Sequence, residues 1–281
     1  MGETREIRRI VSGRQAVDGA GVRLVRVIGY GDTEDFDPFL MLDAFDSANP
    51  EDYAKGFPWH PHRGIETVTY LIRGDIEHGD SLGNKGSILD GECQWMTAGS
   101  GIIHQEMPKA SERFLGVQLW LNLPAKDKMT APRYNGITKA DIPVVDEGDR
   151  KIRVLAGSYG TVPGAMDGEH VKVLYLDVEV APGVEWVLET DPEETLFVYI
   201  VEGEGTFGAG APGTIPARHA LLFDKGRQFR LRASGGGIRF LLLSAKPLGE
   251  PIAWGGPIVM NTRGELDTAF RELNEGTFIK H

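Results

Sequence analysis

The chain is short of several features, and each shortage removes a class of protein. It has one cysteine, Cys93, in 281 residues, so no intrachain disulfide can form and a reducing compartment is the expected setting. No apolar run approaches the roughly twenty residues that a membrane-spanning helix needs. The opening MGETREIRRIVSG lacks the apolar core of a signal peptide, and Glu6 stands where a myristoylation pattern needs Ser or Thr. Lysine and arginine total 30 against 41 acidic residues, a net charge of −11, and no basic block offsets it locally, so direct binding to a nucleic-acid backbone is not expected. These shortages predict a cytoplasmic protein, or a nuclear one if the source is eukaryotic, with no membrane partner.

Turn-forming residues are abundant. The 37 glycines and 16 prolines are spread along the chain and separate short apolar or alternating runs such as GVRLVRVIGYG, DPFLMLDAFD, TVTYLIRGDIEHGD and FLGVQLWLNLP, which is the pattern of antiparallel strands and hairpins. A Pro-, Gly- and Asp-punctuated stretch, LPAKDKMTAPRYNGITKADIPVVDEGD, precedes a second set of β runs. The expected division is a first domain over residues 1–140 and a second over 141–281. Near the end, TRGELDTAFRELNEG carries Leu266, Phe270 and Leu273 at helical spacing and predicts one amphipathic helix. YLIRG at 70–74 and YIVEG at 199–203 form a loose internal repeat, which suggests duplicated barrels.

Two of the seven histidines stand together in GFPWHPHRGIETVTYLIRG. Positions i and i+2 of an extended chain point to one face, about 6 to 7 Å apart, so His60 and His62 can share a metal. In GECQWMTAGSGIIHQEMP, His104 and Glu106 repeat the arrangement. Three imidazoles and a carboxylate suit Fe, Mn, Ni, Cu or Zn, whereas calcium would want more oxygens. Four such ligands would leave two octahedral positions open.

His78, His170, His219 and His281 have no same-face partner in a second convergent motif and are read as surface or hydrogen-bonded residues, so the second domain is expected to be metal-free. Glu66 shares strand parity with His62 and is read as an acceptor orienting a histidine or Arg63, with direct ligation the alternative. Arg63 itself is read as a partner for a carboxylate. Phe57, Trp59, Trp95 and Trp120 are read as core before pocket wall, and Cys93 as a buried inert thiol.

The glycine-framed His-x-His motif followed by a second histidine strand resembles the cupin pattern of a small antiparallel barrel. HPHRGIETVTYLIRG, QWMTAGSGIIHQEMP, LGVQLWLNLP and KPLGEPIAWGGPIVMNTRGELDTAF resemble the signatures of the pirin family. That resemblance implies an all-β bicupin with a short C-terminal helix, and one Fe(II) held in the N-terminal domain by residues matching His60, His62, His104 and Glu106. It also implies two functions. One is a quercetin 2,3-dioxygenase-type oxidoreductase that opens a flavonol with O2 and releases CO, with Glu106 as catalytic base. The other is an iron-dependent redox-sensing regulator acting through a protein partner. A monomer is expected.

Overall fold

The computed structural model describes residues 4–210 and 213–280, so His281 lies outside the described residues. The chain forms two compact units that interleave along the sequence. The first comprises Arg14–Lys139 with Leu248–His281, and the second comprises Ala140–Pro247 with the chain up to Gly13. The expected division into 1–140 and 141–281 is therefore corrected at both ends. Strand Ile7–Val11 pairs antiparallel with Ala220–Phe223 and completes an edge of the second unit's sheet. The C-terminal tail buries Leu266, Ala269 and Phe278 with Ile258 and Met260 inside the first unit.

In the first unit a seven-stranded antiparallel sheet runs in the order Arg133–Ile137, Glu92–Thr97, Ile65–Arg73, Phe114–Asn122, Phe39–Ser47, Val22–Ile28 and Arg14–Asp18. A four-stranded sheet runs Phe57–His62, Ile102–Pro108, Ile76–Asp80 and Lys85–Ile88. Because alternate residues of a strand share a face, strand register sorts the interior into layers. Arg14, Arg26, Asp43, Gln118, Thr69 and Gln94 stand in one row, one residue per strand, ending at Gly136. Residues of the same parity on one side of this row are Leu24, Phe45, Phe114 and Leu71, which join one apolar cluster. Met41, Trp120, Ile65 and Met96 on the other side join a second cluster. A polar belt thus lies between two apolar layers.

The second unit repeats this topology with different chemistry. Its large sheet includes the order Ile7–Val11, Ala220–Phe223, Thr195–Phe207, Gln228–Ala245, Val173–Val180, Arg150–Ala156 and Val144–Asp146. The repeated segments containing Tyr70 and Tyr199 fall on strands at the same place in the two orders, each with two neighbours. With those tyrosines aligned, the row equivalent to Arg26, Asp43, Gln118, Thr69 and Gln94 reads Val154, Leu176, Leu242, Val198 and Leu221. All five are buried in one cluster with Trp186, Phe207, Phe229 and Phe240. That interior row presents no metal-ligating side chain.

The expected helix is Arg263–Asn274, started by Thr262, whose hydroxyl accepts from the Glu265 amide while the Glu265 carboxylate accepts from the Thr262 amide. Leu266 is buried, and Phe270 and Leu273 pack against the same cluster. Buried Arg63 fastens the tail: its guanidinium donates to the Ser100 and Phe278 carbonyls and to the Glu272 carboxylate, and lies 4.1 Å above the Phe278 ring centre. Its carboxylate partner is thus Glu272, not Glu66. Lys128 Nζ donates to the Gly64 and Val259 carbonyls and to Asn122 Oδ1.

Gly64 makes the turn after His62 with φ 77°, and a Cβ there would drive into the Val259 carbonyl oxygen. Gly64→Ala should therefore cost roughly 2–4 kcal/mol, since left-handed strain adds to a backbone clash. Urea unfolding would measure it, and a loss within 0.5 kcal/mol, about that of an ordinary surface substitution, would contradict the fit.

Candidate metal centre

Strand pairing brings the histidines together. His60 sits directly opposite His104 and His62 opposite Ile102 on the neighbouring strand, with a register shift between His104 and Glu106. The donor atoms of His60, His62 and His104 all lie within 4.8 Å of one another. Ring centres are 4.4 Å apart for His60–His104, 4.8 Å for His60–His62 and 5.0 Å for His62–His104. Among the described residues this is the group of histidine, cysteine or acidic side chains that can hold a metal.

The histidine tautomers follow from their neighbours. His60 Nδ1 is 2.9 Å from the Pro58 carbonyl and His62 Nδ1 is 3.1 Å from the Pro257 carbonyl. A carbonyl oxygen only accepts, so each Nδ1 carries a proton, which leaves Nε2 as the nitrogen that can bind a metal. His104 Nε2 is buried without a hydrogen-bond partner, an arrangement that costs stability unless a ligand completes it. Burial first, and then the neighbouring His60, depress the His62 pKa to about 3, while the Pro257 hydrogen bond opposes the shift. Burial first, followed by His62, His60 and His78, also holds His104 well below the ordinary histidine range. Neutral imidazoles clustered at this spacing fit a divalent transition metal.

Glu106 stands beside this group rather than within it. It is buried on the same face as His104, where Oε1 accepts from Thr69 Oγ1 at 2.9 Å and Oε2 from Gln118 Nε2 at 3.1 Å. Glu66 is also outside the group and accepts from Thr97 Oγ1 at 2.7 Å. His78 lies opposite Glu106 in register, stacks on Tyr134 and makes a 2.8 Å hydrogen bond with its hydroxyl. His219 Nδ1 approaches the carbonyls of Pro216 and Ala217. Cys93 is buried, and burial pushes its thiol pKa upward, so it is a poor nucleophile.

His60 and His62 open onto a cavity of about 800 Å³, within the size range of sites for small organic ligands. Trp120 and Phe57 line it, whereas Trp95 is core and Trp59 is 55% exposed. The sequence reading missed Trp254 and Tyr30, which continue an aromatic strip from Trp120 with ring centres 5.8 and 5.7 Å apart in turn. It also missed Asp43, Gln118 and Arg26. A single polar residue inside an apolar strand, as in FLMLDAFD and LGVQLWLNLP, is the signal that could have found Asp43 and Gln118.

A histidine cluster inside one of two topologically repeated antiparallel barrels defines a bicupin with a candidate metal site. Comparison with known sequences agrees: the family profile described as Pirin matches residues 21–121, and that described as Pirin C-terminal cupin domain matches residues 175–279. The chain belongs to the pirin family. It is 41% identical over 282 residues to a Pseudomonas aeruginosa protein that carries the provisional name quercetin 2,3-dioxygenase, covering 98% of this chain and 99% of that one. A Caulobacter vibrioides pirin-like protein is 41% identical over 277 residues, with 98% and 99% covered. Among solved structures, a quercetin 2,3-dioxygenase from Acinetobacter baumannii superposes with a TM-score of 0.88 at 32% identity, covering 98% of each chain. No helix among the described residues is long and apolar enough to cross a membrane.

Two outcomes are expected. His60→Ala or His104→Ala should remove most bound metal, because either leaves an incomplete site; near-stoichiometric metal by elemental analysis in both variants would refute the assignment. In the metal-stripped protein, the unfolded chain takes up protons below about pH 6.5, while His62 stays neutral down to about pH 3 and His104 also resists protonation. Stability should consequently fall as pH drops, by up to about 1.4 kcal/mol per pH unit per histidine. Urea midpoints between pH 7 and pH 4.5 would measure the slope, and a flat profile would contradict it.

Proposed function

We propose that the chain is a metal-dependent dioxygenase that opens a flavonol such as quercetin with O2 and releases CO. The observation that carries this reading is the three-imidazole cluster on an aromatic-lined cavity large enough for a flat tricyclic ligand. His60, His62 and His104 would hold one Fe(II), with Glu106, two residues along the strand from His104, as the carboxylate of the set. When bound, the metal would supply charge stabilisation for an ionised substrate oxygen and a place for dioxygen. The similarity to proteins named for quercetin dioxygenation supports the substrate class.

The protein's own groups supply the remaining requirements. A flavonol must lose its 3-hydroxyl proton to become electron-rich, and Glu106 Oε2 is the proposed acceptor. Gln118 connects the two parts of the site, because its amide donates to that oxygen while its side chain also lines the cavity. The donors from Thr69 and Gln118 hold the carboxylate plane in place, so its orientation is set before substrate arrives. Trp120, whose ring centre is 5.0 Å from that of His62, gives the substrate a flat surface beside the centre.

Oxygen uptake with a flavonol panel, after anaerobic iron loading, tests the activity. Glu106→Gln should lower turnover about 10² to 10⁴-fold, the usual contribution of a general base, with a much smaller change in flavonol affinity. Metal content must be measured in the same samples. A fully metallated and equally active Gln variant would remove Glu106 from the role of base. Absence of oxygen uptake with every flavonol would remove the dioxygenase reading.

A further inference from the structure

The cavity has a second chemical character that the metal reading does not use. Besides the histidines and the aromatic strip, it is lined by Asp18, Arg26 and Asp43. These three form a ladder. Arg26 Nε donates to Asp43 Oδ1 at 2.9 Å, and Arg26 Nη2 donates to Asp43 Oδ2 and Asp18 Oδ2, both at 2.7 Å. The Asp43 side chain is only 4% exposed, against 51% for Asp18, so the ladder runs from the interior to the rim. Its inner end is next in register to Gln118, the residue that bonds Glu106. Adjacent strands are about 4.8 Å apart, so Asp43 and Arg26 stand roughly 5 and 10 Å along the row from the Gln118 strand. Asp43 and Arg26 line the same cavity as His60 and His62, so a ligand that reaches the histidines with one ring can bring a second ring to this row.

The chemistry of the ladder selects what that ring carries. A carboxylate oxygen has two lone-pair positions, and Arg26 occupies one on each Asp43 oxygen. The remaining capacity accepts and cannot donate. Asp18 and Asp43 share the cavity wall with Arg14 and Arg26, so the charges there balance, and a neutral hydroxyl can donate to Asp43 without disturbing the ion pair. We propose that Asp43, held by Arg26 and flanked by Asp18, is a specificity-determining residue that accepts a hydrogen bond from a ring hydroxyl of a planar aromatic ligand resting on Trp120 and Trp254. This deepens the dioxygenase reading and rests on it only for the identity of the ring system. Because Asp43 already has a partner, a ligand lacking the hydroxyl strands no bare charge, so discrimination is moderate: roughly 10- to 100-fold, the worth of one hydrogen bond to a charged group.

The test measures binding to the metal-loaded protein without oxygen, by quenching of tryptophan fluorescence. Two ligand pairs are compared: a ring-hydroxylated flavonol against the parent flavonol carrying only its 3-hydroxyl, and a dihydroxycinnamate against cinnamate. Wild-type protein should prefer the hydroxylated member by about 10- to 100-fold. Asp43→Asn keeps the shape and an acceptor for Arg26, and should lower that preference about tenfold while leaving affinity for the parent compound unchanged within twofold. Asp18→Asn, at the exposed end of the ladder, is a second variant that does not disturb the buried residue, and should lower the preference about threefold. Binding of the parent flavonol with no hydroxyl preference would overturn the subsite and leave the dioxygenase reading standing. A preference in the cinnamate pair, with no flavonol bound, would support the subsite and count against the flavonol. No preference in either pair, or equal weakening of both members by Asp43→Asn, would overturn the proposal.

Discussion

The structure of the first unit depends on keeping a row of polar side chains inside a β-barrel. A buried polar group without a partner costs about 1–3 kcal/mol, so such a row survives only if its members satisfy one another. Arg26 with Asp43, and Thr69 and Gln118 with Glu106, do so through adjacent strands and across the two sheets. His104 Nε2 remains buried without a partner, and with His60 and His62 it forms the group that could hold a metal ion.

The second unit shows the alternative solution on the same framework. Where the first has Arg26, Asp43, Gln118, Thr69 and Gln94, the second has Val154, Leu176, Leu242, Val198 and Leu221. The strand order accommodates both because register places the row, while the side chains set its character. Aliphatic filling removes the desolvation cost and also any room for chemistry. One duplicated architecture thus contains a barrel organised around a site and another organised around its own core.

The C-terminal tail adjoins the candidate site, although it is nearly two hundred residues from His60 and His62 in sequence. Pro257 fixes the tautomer of His62, Trp254 extends the aromatic wall, and Arg63, the residue after His62, holds the tail through Glu272 and Phe278. Lys128 reinforces the junction by bonding the carbonyls of Gly64 and Val259 together. The geometry of the histidine strand is therefore set by tertiary contacts on both sides.

The sequence by itself determined the all-β class, the C-terminal helix and the three histidines, because these are local properties: turn residues between short runs, a 3.6-residue apolar period, and imidazoles two places apart on a strand. Their family resemblance extended that reading to the bicupin architecture. Only the tertiary structure decided that Ile7–Val11 completes the second unit and that the tail folds onto the first. Both depend on pairings between distant segments that no local pattern encodes. The same holds for Asp43, Gln118 and Trp254, ordinary residues in apolar strands until register aligns them beside the histidines. Long-range register decides which face, row and neighbour each side chain receives, and the chemistry of the site follows from that placement.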